Sequence, residues 1–184
     1  MNIRTLLVFL TLAGVCAGSD RQDQPDLKIM HFTPAPDHRA YVACLDSDFM
    51  DFSRVIILVV PSMQKPVFYR QTNTRFTEAY WSPDSRHCVI TDAPTNAGPE
   101  MWLVYNDGRT KWSTRKFKPF DRLDEQYYET QDRNAIIPVR DGYESFRWLD
   151  NHRFEFVILH KLGRYKAEID SSSKTLKPIL TKLQ

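Results

Sequence analysis

The chain has 184 residues, with 25 lysines and arginines against 23 aspartates and glutamates. So even a balance argues against nucleic acid, which is held through a basic stripe, and against a strongly anionic membrane surface. The length fits about one domain, and no run beyond the first residues nears the ~20 apolar positions of a membrane span.

Met1-Asn2-Ile3-Arg4 is a short basic start, and Thr5 to Val15 is apolar, ending near Val15-Cys16-Ala17 in residues a signal peptidase accepts. The pattern predicts a secretory signal peptide over residues 1–17 and a secreted or periplasmic protein. Cys16 raises a lipid-anchored alternative, which branched Val15 disfavours, because that signal wants a small residue before the cysteine. Cleavage after Ala17 removes Arg4 and no acid, leaving 24 basic and 23 acidic residues. Residues 18–26 are polar and read as a flexible lead-in.

A first unit, about 27–70, predicts four strands. Leu27 to Phe32 turns at Pro34-Ala35-Pro36-Asp37 and returns through Ala40 to Cys44. Val55 to Val60, apolar throughout and rich in β-branched residues, suits a strand covered on both faces. Pro61 to Lys65 turns into a short strand at Val67-Phe68-Tyr69. The loop between holds Asp46, Asp48 and Asp51, a calcium-like spacing without the glycine or closing glutamate of such loops; a solvated acidic loop is the better reading.

A second unit, about 76–114, repeats the order. Phe76 to Trp81 meets a turn at Ser82-Pro83-Asp84-Ser85, in which Pro83 presets φ and Asp84 can accept from backbone two residues on. Cys88 to Thr91, Met101 to Tyr105 and Lys111 to Thr114 follow, with Asn106-Asp107-Gly108 a strong hairpin turn. Residues 115–141 break the pattern as one irregular insert. There Asp121 is expected to cap a short helix through Leu123, Gln126 and Tyr127, and Ile136 to Val139 reads as an edge strand. A third unit, about 143–180, runs from Tyr143 to Trp148, turns at Asp150-Asn151, returns through Phe154 to Leu159, and ends with strands at Tyr165 to Ile169 and Leu176 to Ile179.

The fold class is therefore all-β, with about three antiparallel four-stranded units. Trp81-Ser82-Pro83-Asp84-Ser85-Arg86, with Met101 to Tyr105 and Asn106-Asp107-Gly108 downstream, resembles the TolB-type, WD-like β-propeller repeat. Ser85 departs from that family, which has glycine there, and three units are fewer than the four to eight that close a propeller. The resemblance implies propeller-like blades and a scaffold that binds protein or peptide, and it brings no catalytic residue. An incomplete ring also suggests self-association through its unpaired edges.

Candidate sites are few. Cys44 and Cys88 fall on equivalent strands; in an oxidising compartment they can pair, and otherwise they are two small buried apolar residues. His38, His87 and His152 fall near equivalent turns, where exposed histidines are the default and a shared metal site would need the units to converge. Glu125, Tyr127, Tyr128 and Glu129 mix acids with aromatics in the insert and suit partner contact. The alternative is a peptide- or glycan-acting enzyme or accessory with its site in 115–141, though one short segment shows no pair of opposed carboxylates. No nucleophile elbow, phosphate loop or Cys-x-x-Cys is present, so no catalytic residue, metal or cofactor is assigned. Trp81, Trp102, Trp112 and Trp148 sit on predicted strands and read as core and packing between units.

Overall fold

A computed structural model describes residues 27–47, 54–72, 74–94, 100–108, 111–130 and 142–184. The segments expected to be a signal peptide and a lead-in, Asp48 and Asp51 of the acidic loop, and the expected Ile136 to Val139 strand lie outside the described residues. The chain divides into two units, one up to Asn73 and one from Thr74 onward. Both are built from the same object, a four-stranded antiparallel meander whose strands pair in sequence order.

The first unit is one such sheet: β1 (Leu27–Pro34), β2 (Tyr41–Ser47), β3 (Arg54–Val59) and β4 (Phe68–Thr72). Ile56, Ile57 and Leu58 of β3 are wholly buried, as an unbroken apolar strand should be. Tyr41, Ala43 and Leu45 share one face of β2 and pack with Ile57 and Val59 into this unit's core.

The second unit holds two sheets. One is β5 (Thr74–Trp81), β6 (His87–Pro94), β7 (Glu100–Asn106) and β8 (Trp112–Phe117). The other is β9 (Gly142–Trp148), β10 (Arg153–His160), β11 (Gly163–Asp170) and β12 (Ile179–Lys182). Between β8 and β9 lies one helix, α1 (Asp121–Thr130). The core joins Val89, Met101 and Leu103 of the first sheet to Phe154, Phe156 and Ile158 of the second, with Phe120 and Leu123 reaching in from α1. These three meanders are propeller-like blades, and the described chain is all-β apart from α1.

Several boundaries differ from the sequence reading, three of them with a clear physical reason. The last strand is Ile179–Lys182 rather than Leu176 to Ile179. Pro178 cannot donate to a ladder, so pairing with β11 starts only after it, with Ile179 opposite Glu168. Strand β8 runs on to Phe117, because Arg115, Lys116 and Phe117 pair with Leu103, Trp102 and Met101. The N-cap of α1 is Phe120, whose carbonyl takes the first helical bond from Asp124 N at 2.9 Å. Asp121 is thus the first helical residue, where its charge favours the helix dipole without capping it.

The repeated turn is built alike in the first two sheets. His38 N donates to Ala35 O at 2.9 Å, and Ser85 N donates to Ser82 O at 3.0 Å. Asp37 accepts from Arg39 N at 2.9 Å, and Asp84 from Arg86 N at 3.1 Å. The next residue is left-handed in both, with φ of 59° at His38 and 61° at Ser85. Both turns therefore hold a left-handed residue, a conformation that glycine adopts without strain, although neither residue is glycine. In the third turn Asp150 accepts from both His152 N and Arg153 N, at 2.8 and 2.7 Å. A left-handed non-glycine residue costs roughly 1–2 kcal/mol, partly offset because glycine has more unfolded entropy to lose. His38→Gly, at an exposed position, should therefore raise stability in urea denaturation by up to about 1 kcal/mol. A loss would show that the turn does not need this φ.

Cys44 and Cys88 are buried thiols in β2 and β6, and no disulfide joins them. Full burial pushes the Cys88 thiol well above its ordinary pKa. Both sit where a small apolar residue packs.

Candidate functional site

A β-bulge sets how the two sheets of the second unit meet. Ser145 and Phe146 together face the single residue Phe156, and Ser145 is left-handed at φ 57°. The bulge places Phe146 flat on Tyr80, ring centres 4.0 Å apart, and stacks it on Phe154 and Phe156. Trp148 donates Nε1–H to Tyr80 O at 3.1 Å. It thus packs between the two sheets of the second unit.

Polar cross-links complete this seam. Tyr143 Oη donates to Glu78 Oε2 at 2.5 Å and lies 2.6 Å from Thr91 Oγ1, and Tyr80 Oη donates to the same Glu78 oxygen at 2.6 Å. Burial, then the neighbouring carboxylate, raises both phenols far above the usual tyrosine range. Tyr143→Phe removes the tie between sheets but leaves an exposed carboxylate that water can serve. It should cost about 1 kcal/mol in chemical denaturation; an unchanged midpoint would mean the tie adds nothing.

At the turn-bearing end of these sheets the cross-link is Arg115. Its guanidinium donates to Ser171 O and Ser173 O, both at 2.7 Å, and lies over the Tyr105 ring. Arg115 lines two clefts. The larger, about 770 Å³, runs between the end of β8, the first turn of α1 and residues 174–178. Six basic side chains line it: Arg115, Lys116, Lys118, Arg122, Lys174 and Lys177, against the acids Asp121 and Glu125. Lys116 is already paired with Glu100 at 2.5 Å. Lys118, Arg122, Lys174 and Lys177 are exposed, and among the described residues no carboxylate forms an ion pair with them.

The smaller cleft, about 280 Å³, shares Arg115 with the first and is lined by residues from the turns of the two sheets. Here His87 and His152 meet edge to face with ring centres 5.1 Å apart. The sequence reading kept turn histidines apart unless the units converge; at this seam they converge. Burial lowers the His87 pKa, with the charge of His152 acting in the same direction and Asp84 opposing it. Asp84 sits 3.9 Å from His87 Nδ1. Desolvation would raise its pKa, but bonds from Ser82 Oγ and Arg86 N hold it below the usual carboxylate range.

Of the expected contact residues, Glu125 lines the basic groove, while Tyr128 and Glu129 are exposed on the same helix. Tyr127 is half-buried, edge-on to the His160 ring at 5.9 Å. His160 Nε2 lies 3.3 Å from Asp124 Oδ1 and its Nδ1 accepts from Leu162 N at 3.1 Å, so it fastens α1 to β10. No group of three or more metal-ligating side chains is assembled among the described residues. No helix among them is long and apolar enough to cross a membrane. The sequence reading missed the cations of the groove, although Arg115, Lys116, Lys118 and Arg122 crowd one short stretch.

No protein-family model matches the chain, and no curated protein matches it. Among solved structures it is similar to the periplasmic gluconolactonase PpgL of Pseudomonas aeruginosa, at 11% identity and a TM-score of 0.44, over 86% of this chain and 42% of that one. It is also similar to a protein from Lactobacillus plantarum, at 13% identity and a TM-score of 0.38, over 86% of this chain and 41% of that one. The chain spans less than half the length of either.

Proposed function

We propose that the chain is a secreted or periplasmic binding domain of propeller-like blades, and that its partner is a protein presenting an acidic, extended segment. The observation that carries this reading is the groove beside α1, where six cations face two acids in a chain whose basic and acidic residues nearly cancel. Overall balance argued against polyanions as a class; the segregation of charge reopens the question for one local surface. The groove is short and flanked by the exposed Tyr128 and Glu129, which suits a peptide segment better than a long uniform polyanion. The secretory part of the reading rests on the Met1 to Ala17 pattern.

The test is fluorescence anisotropy with a labelled oligoglutamate peptide and an oligolysine control. Binding of the first alone, weakening as salt rises, is the expected result, because exposed charge pairs are screened. Equal binding of both peptides, or salt-independent binding, would overturn it.

A further inference from the structure

We propose that the cleft between His87 and His152, edged by Arg86, Arg115, Ser171 and Ser172, is a binding site for a small oxyanion, a carboxylate or phosphate group. This goes beyond the groove reading, since the cleft shares only Arg115 with the groove and has its own polar groups. Four buried side-chain polar atoms lack a hydrogen-bond partner among the described residues, and three belong to residues that line this cleft: His87 Nδ1, with the Asp84 carboxylate 3.9 Å away, Ser171 Oγ, and Nε of Arg115, which lines both clefts. His87 is 7% and Ser171 6% exposed. Buried polar groups are seldom left unpaired, because each costs the desolvation of a lost hydrogen bond. Three such groups among the residues lining about 280 Å³ of space make this cleft the place where a polar ligand would be served. Their chemistry is hydroxyl, guanidinium and imidazole, with Arg86 at the rim, and that set suits an acceptor-rich anion.

The surrounding acids decide when the site turns positive. Asp84 and Asp150 belong to the two turns, Asp107 to the β7–β8 turn, and Asp170 precedes Ser171. Asp84 is bonded to Ser82 and Arg86, Asp150 to its own turn and Arg153, and Asp170 to Ser172. Bonds from His152 N and Arg153 pull Asp150 to about 2, so it stays charged throughout the physiological range. With these carboxylates ionised, Arg86, Arg115 and Arg153 do not outweigh them until the histidines protonate. Burial makes His87 hard to charge. An oxyanion supplies the missing counter-charge, so binding should take up protons, be tighter near pH 6 and weaken as pH rises through the histidine range.

Histidine resonances of the full chain, followed by NMR between about pH 5.5 and 8, test this with inorganic phosphate, acetate or chloride added. Phosphate or acetate should raise the titration midpoints of His87 and His152, and leave that of His38, an exposed turn histidine of the first sheet, unmoved. A response to phosphate alone would support a phosphoryl ligand, and an equal response to acetate a carboxylate. His152→Asn, at an exposed position whose backbone bond to Asp150 is kept, should weaken binding about tenfold. Lys118→Glu, on the groove side, should leave it unchanged. Midpoints that do not move, that move equally in chloride, or that move together with His38 would overturn the proposal. So would loss of the response in Lys118→Glu, which would place the anion in the groove. Oxyanion binding without peptide binding would instead defeat the groove reading alone.

Discussion

A chain carrying Lys118→Glu, Arg122→Glu and Lys177→Glu together is expected to bind an acidic peptide about 100-fold more weakly than the unaltered chain. Each reversal replaces an attraction by a repulsion at an exposed site, worth roughly 1 kcal/mol in high dielectric, and every 1.4 kcal/mol is about tenfold. The three side chains come from the segment after β8, the first turn of α1 and the segment before β12, so they sample all three walls of the groove. All are exposed, which makes loss of folding a poor explanation for loss of binding. Lys111→Glu is the matching control, because Lys111 is exposed and lies outside the groove lining. A triple variant that binds within about threefold of the unaltered chain, less than 1 kcal/mol, would mean that the acidic segment sits elsewhere.

The strands were legible because their information is local. An unbroken run of β-branched, apolar residues marked β3, the alternation of Tyr165, Ala167 and Ile169 with Lys166 and Glu168 marked β11, and the Asp-bearing turns marked where pairs reverse. The groove was not legible because its cations come from Arg115 to Arg122 and from Lys174 to Lys177, brought together only by the pairing of β11 with β12 and the grip of Arg115 on Ser171 and Ser173. The meeting of His87 with His152 depends on the bulge at Ser145, a left-handed residue that nothing in Tyr143 to Trp148 announces. Serine at position 85 likewise hid a left-handed turn residue. Local chemistry predicts elements; the sites here arise where two sheets meet, and that is a property of side chains distant in sequence.

The largest stability effect should come from that meeting surface. Phe154→Ala is expected to destabilise the second unit by about 3–5 kcal/mol, the usual range for a wholly buried aromatic. Phe154 is 0% exposed, and its ring centre lies 5.0 Å from Trp148, 5.3 Å from Phe146 and 6.0 Å from Phe117. Truncation would leave a cavity walled by three aromatic residues from β8 and β9, which close packing prevents from collapsing without shifting a strand. Because whole domains are stable by only about 5–15 kcal/mol, this one change removes a large share of the margin. Leu159→Ala, on the same strand at 36% exposure, should cost well under 1 kcal/mol. Urea denaturation followed by tryptophan fluorescence reads both, since Trp148 contacts Phe154 directly. Similar losses for the two variants would mean that the sheets are not joined through this aromatic cluster. The histidine cleft, held by the same seam, would then lose its structural support as well.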